Sequence, residues 1–271
     1  MDGRSSSHLL EMGTDRVIKR YRSWEHRQPE REWNALKLLD EHAPGTVPAP
    51  VSADLAAVPP HIVMSRLRGL PLAGPISPAQ ANAAAAVVVH VQEAIPQQAL
   101  AGLPPRAGQP VELLQQVGAW CAQASSAESS TLTAQALAAG TNWIRRPRLT
   151  EQLGRPGKPV FGTGDGNLAN YLWDGSEMRL VDFEYSGRSD RAYELAEMTE
   201  HISVRQNGAT ALISALEHVE SAAPEPSRFK DCRRLLAMFW LLRILAATRG
   251  GSAGGSPVLD SQAERVLDLL S

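Results

Sequence analysis

Asp165-Gly-Asn-Leu-Ala-Asn170 is followed, twelve positions on, by Asp182 in Leu180-Val-Asp-Phe-Glu184. A carboxylate in a glycine-flanked loop, an amide five residues later and a second carboxylate ending an apolar strand are the parts that kinase-type phosphoryl transfer needs. The first carboxylate would orient a hydroxyl and accept its proton. The amide and the second carboxylate offer hard oxygen ligands, which suit magnesium on the phosphates of a nucleotide. Asp165 is therefore the expected base, and Asn170 and Asp182 the expected metal ligands. Each position alone reads as a turn residue or a strand-end acid, since Gly164-Asp-Gly-Asn167 is turn sequence. The three together, in a strand–loop–strand context, reverse that reading.

Upstream, Lys19 sits in Arg16-Val-Ile-Lys-Arg-Tyr21, a stretch with the β-branched content of a strand. It could neutralise the α- and β-phosphates, with Glu32 at the start of the next helix pairing with it and holding it in place. Glu30 is the competing partner. Taken singly, Lys19 reads as an exposed strand lysine and Glu32 as a first-turn acid favoured by the helix dipole.

The elements that must position these groups fall into two compositions. The first part mixes strands, Arg16–Tyr21 and His61–Met64, with a helix from Glu32 to Glu41 closed by Pro44-Gly45. Leu67 to Pro75 breaks the pattern with Gly and Pro and reads as a hinge or linker. Alanine-rich helical sequence follows over 78–94, 111–124 and 132–144, then short strands at Val160-Phe161 and Met178–Val181 around a loop at 162–170. Asp190 can cap a helix with Ala192, Leu195, Ala196 and Ile202 on its inner face. Leu235–Ala247 reads as a buried helix, Gly250–Pro257 as a flexible loop, and Gln262–Leu270 as a closing helix.

Val17-Ile-Lys19, Glu32 with Ala35-Leu36, Val63-Met-Ser-Arg-Leu67 with Gly69, Gly164-Asp165 to Asn170, Leu180-Val-Asp182 and Gly187–Ala196 together resemble the aminoglycoside phosphotransferase and choline-kinase group. These are small-molecule relatives of the protein kinases. The resemblance implies an α+β, protein-kinase-like fold of two lobes. Residues 1–68 would form a nucleotide-binding lobe of a small antiparallel sheet plus a helix, and residues 69–271 a larger, mainly helical lobe. It implies transfer of the γ-phosphate of ATP or GTP to a small-molecule hydroxyl, with Mg2+ as cofactor. It makes Met64, Ser65 and Leu67 the hinge that meets the purine edge, and Ser5 and Ser6 donors over the phosphates. Asp190 would anchor the catalytic loop, although helix capping explains it equally. Two departures stand out: Thr163 where the group has a histidine, and a phosphate loop, Gly3-Arg-Ser-Ser-Ser7, with a single glycine.

The 271 residues carry a formal charge of −2, 43% hydrophobic and 21% charged side chains, and two cysteines. That is globular composition with no basic excess for nucleic acid or anionic membrane and no disulfide framework. The N-terminal residues lack the apolar core of a signal peptide, so a cytoplasmic monomer or weak dimer is expected. His90 and His201 read as core or surface histidines, and Trp143–Arg148 as a solvated turn. The acceptor is open between an antibiotic and a metabolite such as an amino alcohol, sugar or amino acid. Glu184, Glu194, Glu197 and Glu200 could supply an acidic pocket for a polycation. A degenerate nucleotide-binding module is the alternative from another class, and a protein kinase fits less well because no Ala-Pro-Glu segment follows Asp182.

Overall fold

Val17 and Ile18 lie at the middle of strand β2 (Arg16–Arg20), which is paired antiparallel along both edges. β1 (Leu9–Met12) flanks it on one side and β4 (His61–Ser65) on the other, with β3 (Pro50–Asp54) outside β4. Lys19 thus stands on an inner strand, opposite Leu10 and Ile62. Burial alternates along β4, with Ile62 and Met64 turned inward, as the two-residue period of a strand requires. Against this sheet packs α1 (Gln28–His42), which buries Ala35, Leu36 and Leu39. It begins at Gln28, ahead of Glu32, because Pro29 suits a first turn where its missing N–H costs nothing. This computed structural model describes residues 8–124, 131–155, 157–221, 226–248 and 256–271. Ser5, Ser6 and most of Gly250–Pro257 lie outside the described residues.

The glycine- and proline-rich stretch after β4 does not run free. Its β5 (Leu70–Pro71) pairs with β7 (Tyr171–Trp173), which in turn pairs with β8 (Met178–Leu180). Gly69 makes this possible: its φ is +115°, and a Cβ there would lie 2.9 Å from the Trp173 carbonyl carbon, a conformation and a spacing open only to glycine. A third pairing joins β6 (Pro159–Gly162) to β9 (Gly187–Asp190). These two short sheets bracket the loop that carries Asp165.

The remainder is helical. α2 (Pro78–Ala94) starts with a capping box between Ser77 and Gln80. It is followed by α3 (Gln97–Gly102), α4 (Pro110–Gln123), α5 (Thr131–Ile144) and α6 (Leu149–Gly154). After β9 come α7 (Arg191–Glu200), α8 (Ile202–Gln206), α9 (Thr210–Ser221), α10 (Pro226–Thr248) and α11 (Pro257–Leu270). α10 is the central one, burying Leu235 to Met238 and Leu241 and packing against α4, α7 and α11. The single helix expected over Ala192–Ile202 is two, because His201 leaves helical angles with ψ 135°. Among the described residues no helix is long and apolar enough to cross a membrane.

Candidate active site

Lys19 is the node of the site. Its Nζ lies 2.6 Å from Glu32 Oε2, 2.8 Å from Asp182 Oδ1 and 2.9 Å from Glu184 Oε2. The pairing with Glu32 follows the sequence reading; Glu30 does not take part in it. The Tyr21 hydroxyl donates to the same Glu32 oxygen at 2.5 Å, and His8 Nε2 stands 2.6 Å from Glu184 Oε2. Burial disfavours the ammonium, but Glu32, Asp182 and Glu184 outweigh it and hold the Lys19 pKa well above the ordinary range. Glu32, Asp182 and Glu184 bring their oxygens within 4.8 Å of one another, a spacing that could hold a metal, yet here they surround Lys19. One ammonium among three carboxylates leaves negative charge in surplus. Asp182 carries it outward: its side chain is 36% exposed and its φ of 70° is left-handed.

Asp165 is fixed by its own loop. The Asn167 N–H donates to Oδ1 and Asn170 Nδ2 to Oδ2, both at 3.0 Å. Burial first, then the nearby Asp182 carboxylate, push the Asp165 carboxyl up to about 6, against the pull of those two donors. At neutral pH it is ionised and matched to accepting a proton. The glycines around it serve close approach. A Cβ on Gly164, at φ +83°, would collide with the Tyr185 carbonyl, and one on Gly166 would sit 2.6 Å from the Glu197 oxygen. Asn170 turns its amide nitrogen to Asp165, which leaves its carbonyl oxygen for a cation. With Asp182 this donor set of hard oxygens beside surplus negative charge fits magnesium.

Three parts of the site, Arg106, His201 and Tyr21, were not marked out by the sequence. Arg106, between α3 and α4, is buried; its Nη2 donates to the Gly164 carbonyl at 3.0 Å and its Nη1 meets Glu194 Oε1 at 2.9 Å. It ties down the loop that carries Asp165, the anchoring role expected of Asp190. Asp190 instead caps α7 through the Tyr193 N–H and takes the Arg228 guanidinium as a fork, at 3.0 and 2.5 Å. His201, read as a core or surface residue, lies 3.4 Å from Asp165 Oδ1. Tyr21, one residue past the end of β2, follows Lys19 by two and is buried like it, a period that could have revealed it; Arg106 in Pro104-Pro-Arg-Ala-Gly108 offers no such cue. His90 is exposed, and so are Arg145, Arg146 and Arg148 as expected, but Trp143 at the head of that run is buried at the end of α5.

The acids considered for a polycation pocket all face cations of the chain itself. Glu184 meets Lys19, Glu194 and Glu197 meet Arg106, and Glu200 meets both Arg233 and Arg265. Burial, opposed by Arg106, pushes Glu197 up to about 7. At the hinge, the Ser65 and Arg66 amides already donate to Ala49 and Asp15. The Leu67 amide, three residues past Met64 and two past Ser65 on the same connection, is the next donor along it.

The profile of a phosphotransferase enzyme family matches residues 5–248, almost the whole chain. The chain belongs to the phosphotransferase enzyme family. Solved structures agree at the level of the fold. A choline/ethanolamine kinase family protein from Mesorhizobium loti superposes with a TM-score of 0.62 at 17% identity, over 98% of this chain and 85% of that one. The choline kinase LicA from Streptococcus pneumoniae gives 0.62 at 14% identity, over 100% and 91%. An aminoglycoside phosphotransferase, APH(4)-Ia, in ternary complex with ADP and hygromycin B gives 0.60 at 13%, over 97% and 92%. No curated protein sequence matches the chain. At these identities the neighbours establish a protein-kinase-like fold for this member of the phosphotransferase family, and its acceptor is argued from its own residues.

Proposed function

We propose that this member of the family is a kinase of small hydroxylated molecules, using ATP or GTP with Mg2+ and Asp165 as the base. The observation that carries the reading is the convergence of Lys19, Glu32 and Asp182 from three separate elements, beside an Asp165 carboxyl pushed up to about 6. Residues 1–68 would bind the nucleotide against residues 69–271, with the Leu67 amide as the donor to the purine edge. Lys19 would exchange some of its three carboxylates for the α- and β-phosphates. Asn170 and Asp182 would hold magnesium, which when bound screens the phosphate charge. Asp165 would align the acceptor hydroxyl and take its proton as the oxygen attacks the γ-phosphorus; the nucleoside diphosphate leaves. The cytoplasm is the proposed compartment, and cysteines held as thiols at Cys121 and Cys232 suit it.

The pairing of Glu184, Glu194, Glu197 and Glu200 with internal cations favours a metabolite over a polycationic antibiotic as acceptor. A nucleotide-consumption screen of ATP and GTP against amino alcohols, sugars, amino acids and aminoglycosides tests the reading. Consumption that depends on one acceptor, with magnesium-dependent nucleotide binding weakened in Asp182→Ala, is the expected result. Tight nucleotide binding without consumption by any acceptor would favour the degenerate binding module instead.

A further inference from the structure

We propose that His201 is a positioning residue for the reaction, holding Asp165 from outside the catalytic loop by a hydrogen bond from its Nε2–H. The inference rests on the reading of Asp165 as the base. The two other donors to that carboxylate, the Asn167 N–H and Asn170 Nδ2, belong to the loop itself and move with it. His201 belongs to the α7–α8 junction, is 7% exposed, and puts Nε2 3.4 Å from Oδ1 of Asp165. At 3.4 Å the two atoms are in contact without the alignment of a hydrogen bond, and on this proposal the contact tightens into one when substrate orders the site, as catalytic hydrogen bonds commonly do.

The tautomer follows from the other side of the ring. Nδ1 accepts the Ser203 backbone N–H at 3.2 Å and lies 2.8 Å from Ser203 Oγ. A ring nitrogen that accepts an amide proton carries none of its own, so the proton of the neutral imidazole is on Nε2. Burial pushes the ring down to about 4, which keeps it neutral where Asp165 is ionised. Ser203 closes the circuit, since its Oγ accepts the Leu168 N–H of the catalytic loop at 2.9 Å. Leu168, Ser203, His201 and Asp165 therefore form a ring of contacts that ties the loop to the junction at two points. Trp240 stands edge-on to the imidazole at 4.8 Å and 81° and fixes its plane.

His201→Leu should lower kcat roughly 10–100-fold, the worth of one hydrogen bond to a charged group, with KM for nucleotide unchanged. His201→Gln, which keeps a donor near the Nε2 position, should recover most of that loss. Independently of turnover, 15N NMR of the imidazole should show the Nε2-protonated tautomer, with its resonance moved by Asp165→Asn. An Nδ1-protonated ring, a resonance indifferent to Asp165→Asn, or full activity in His201→Leu would overturn the proposal. Wild-type protein inactive with every acceptor would instead count against the kinase reading, and the response of the imidazole resonance to Asp165→Asn would still decide the contact.

Discussion

Asp165 is ionised at neutral pH but only by a narrow margin. Its carboxyl is pushed up to about 6 by burial and by Asp182, so kcat/KM should fall on the acid side with a midpoint near that value. A flat profile down to pH 5 would mean that the titrating base is another group or none. The same shift has a stability sign. A carboxyl whose folded pKa lies above its unfolded value contributes stability at low pH and loses it as pH rises through the folded value. Asp165→Asn should therefore gain stability over the wild type as pH rises from about 4 to above 6, by on the order of 2 kcal/mol at the upper end. Lys19 has the opposite character. Removing it leaves Glu32 and Glu184 buried without their cation, and Lys19→Met should cost about 3–5 kcal/mol in denaturant unfolding. A variant as stable as the wild type would show that the three carboxylates shed their charge on their own.

The elements differ in how much the sequence revealed of them. β2, β4 and α2 were legible because β-branched runs and alanine-rich composition act locally, and α10 because its apolar run must be buried. β1 was not: Leu9 to Met12 are exposed throughout, so no alternation marks the strand. β7 and β9 are too short to show a period. At the site the same rule holds. Asp165, Asn170, Asp182 and Lys19 follow from spacing within single segments, whereas Arg106 and His201 act across 58 and 36 residues of chain, where only the fold can bring them in. Arg106 joins the α3–α4 connection to the Asp165 loop and to α7. Arg106→Met should lower stability by about 3 kcal/mol, the low end for a broken buried pair, since Glu197 at about 7 can take up a proton. An unchanged unfolding midpoint would remove Arg106 from the account as an anchor.

Across the whole molecule, a set of polar bonds joins the N-terminal sheet and α1 to the helical part, beside the apolar cluster that they share. Lys19 reaches Asp182 and Glu184, Gln28 reaches Tyr185 at 3.0 Å, and Arg31 Nη1 reaches the Pro105 and Ser186 carbonyls at 2.7 and 3.0 Å. A seam of this kind suits a cleft that must accept and release a charged nucleotide. It also makes the proposed division of labour testable, because Lys19, proposed to meet the phosphates, and Asp165, proposed as the base, come from different sides. The most direct test is the rate of phosphate transfer by Asp165→Asn at neutral pH, with nucleotide affinity measured on the same protein. Transfer should fall roughly 10²–10⁴-fold, the contribution of a positioned general base, while magnesium–nucleotide binding and the fold are retained. Transfer at the wild-type rate by Asp165→Asn would contradict the account.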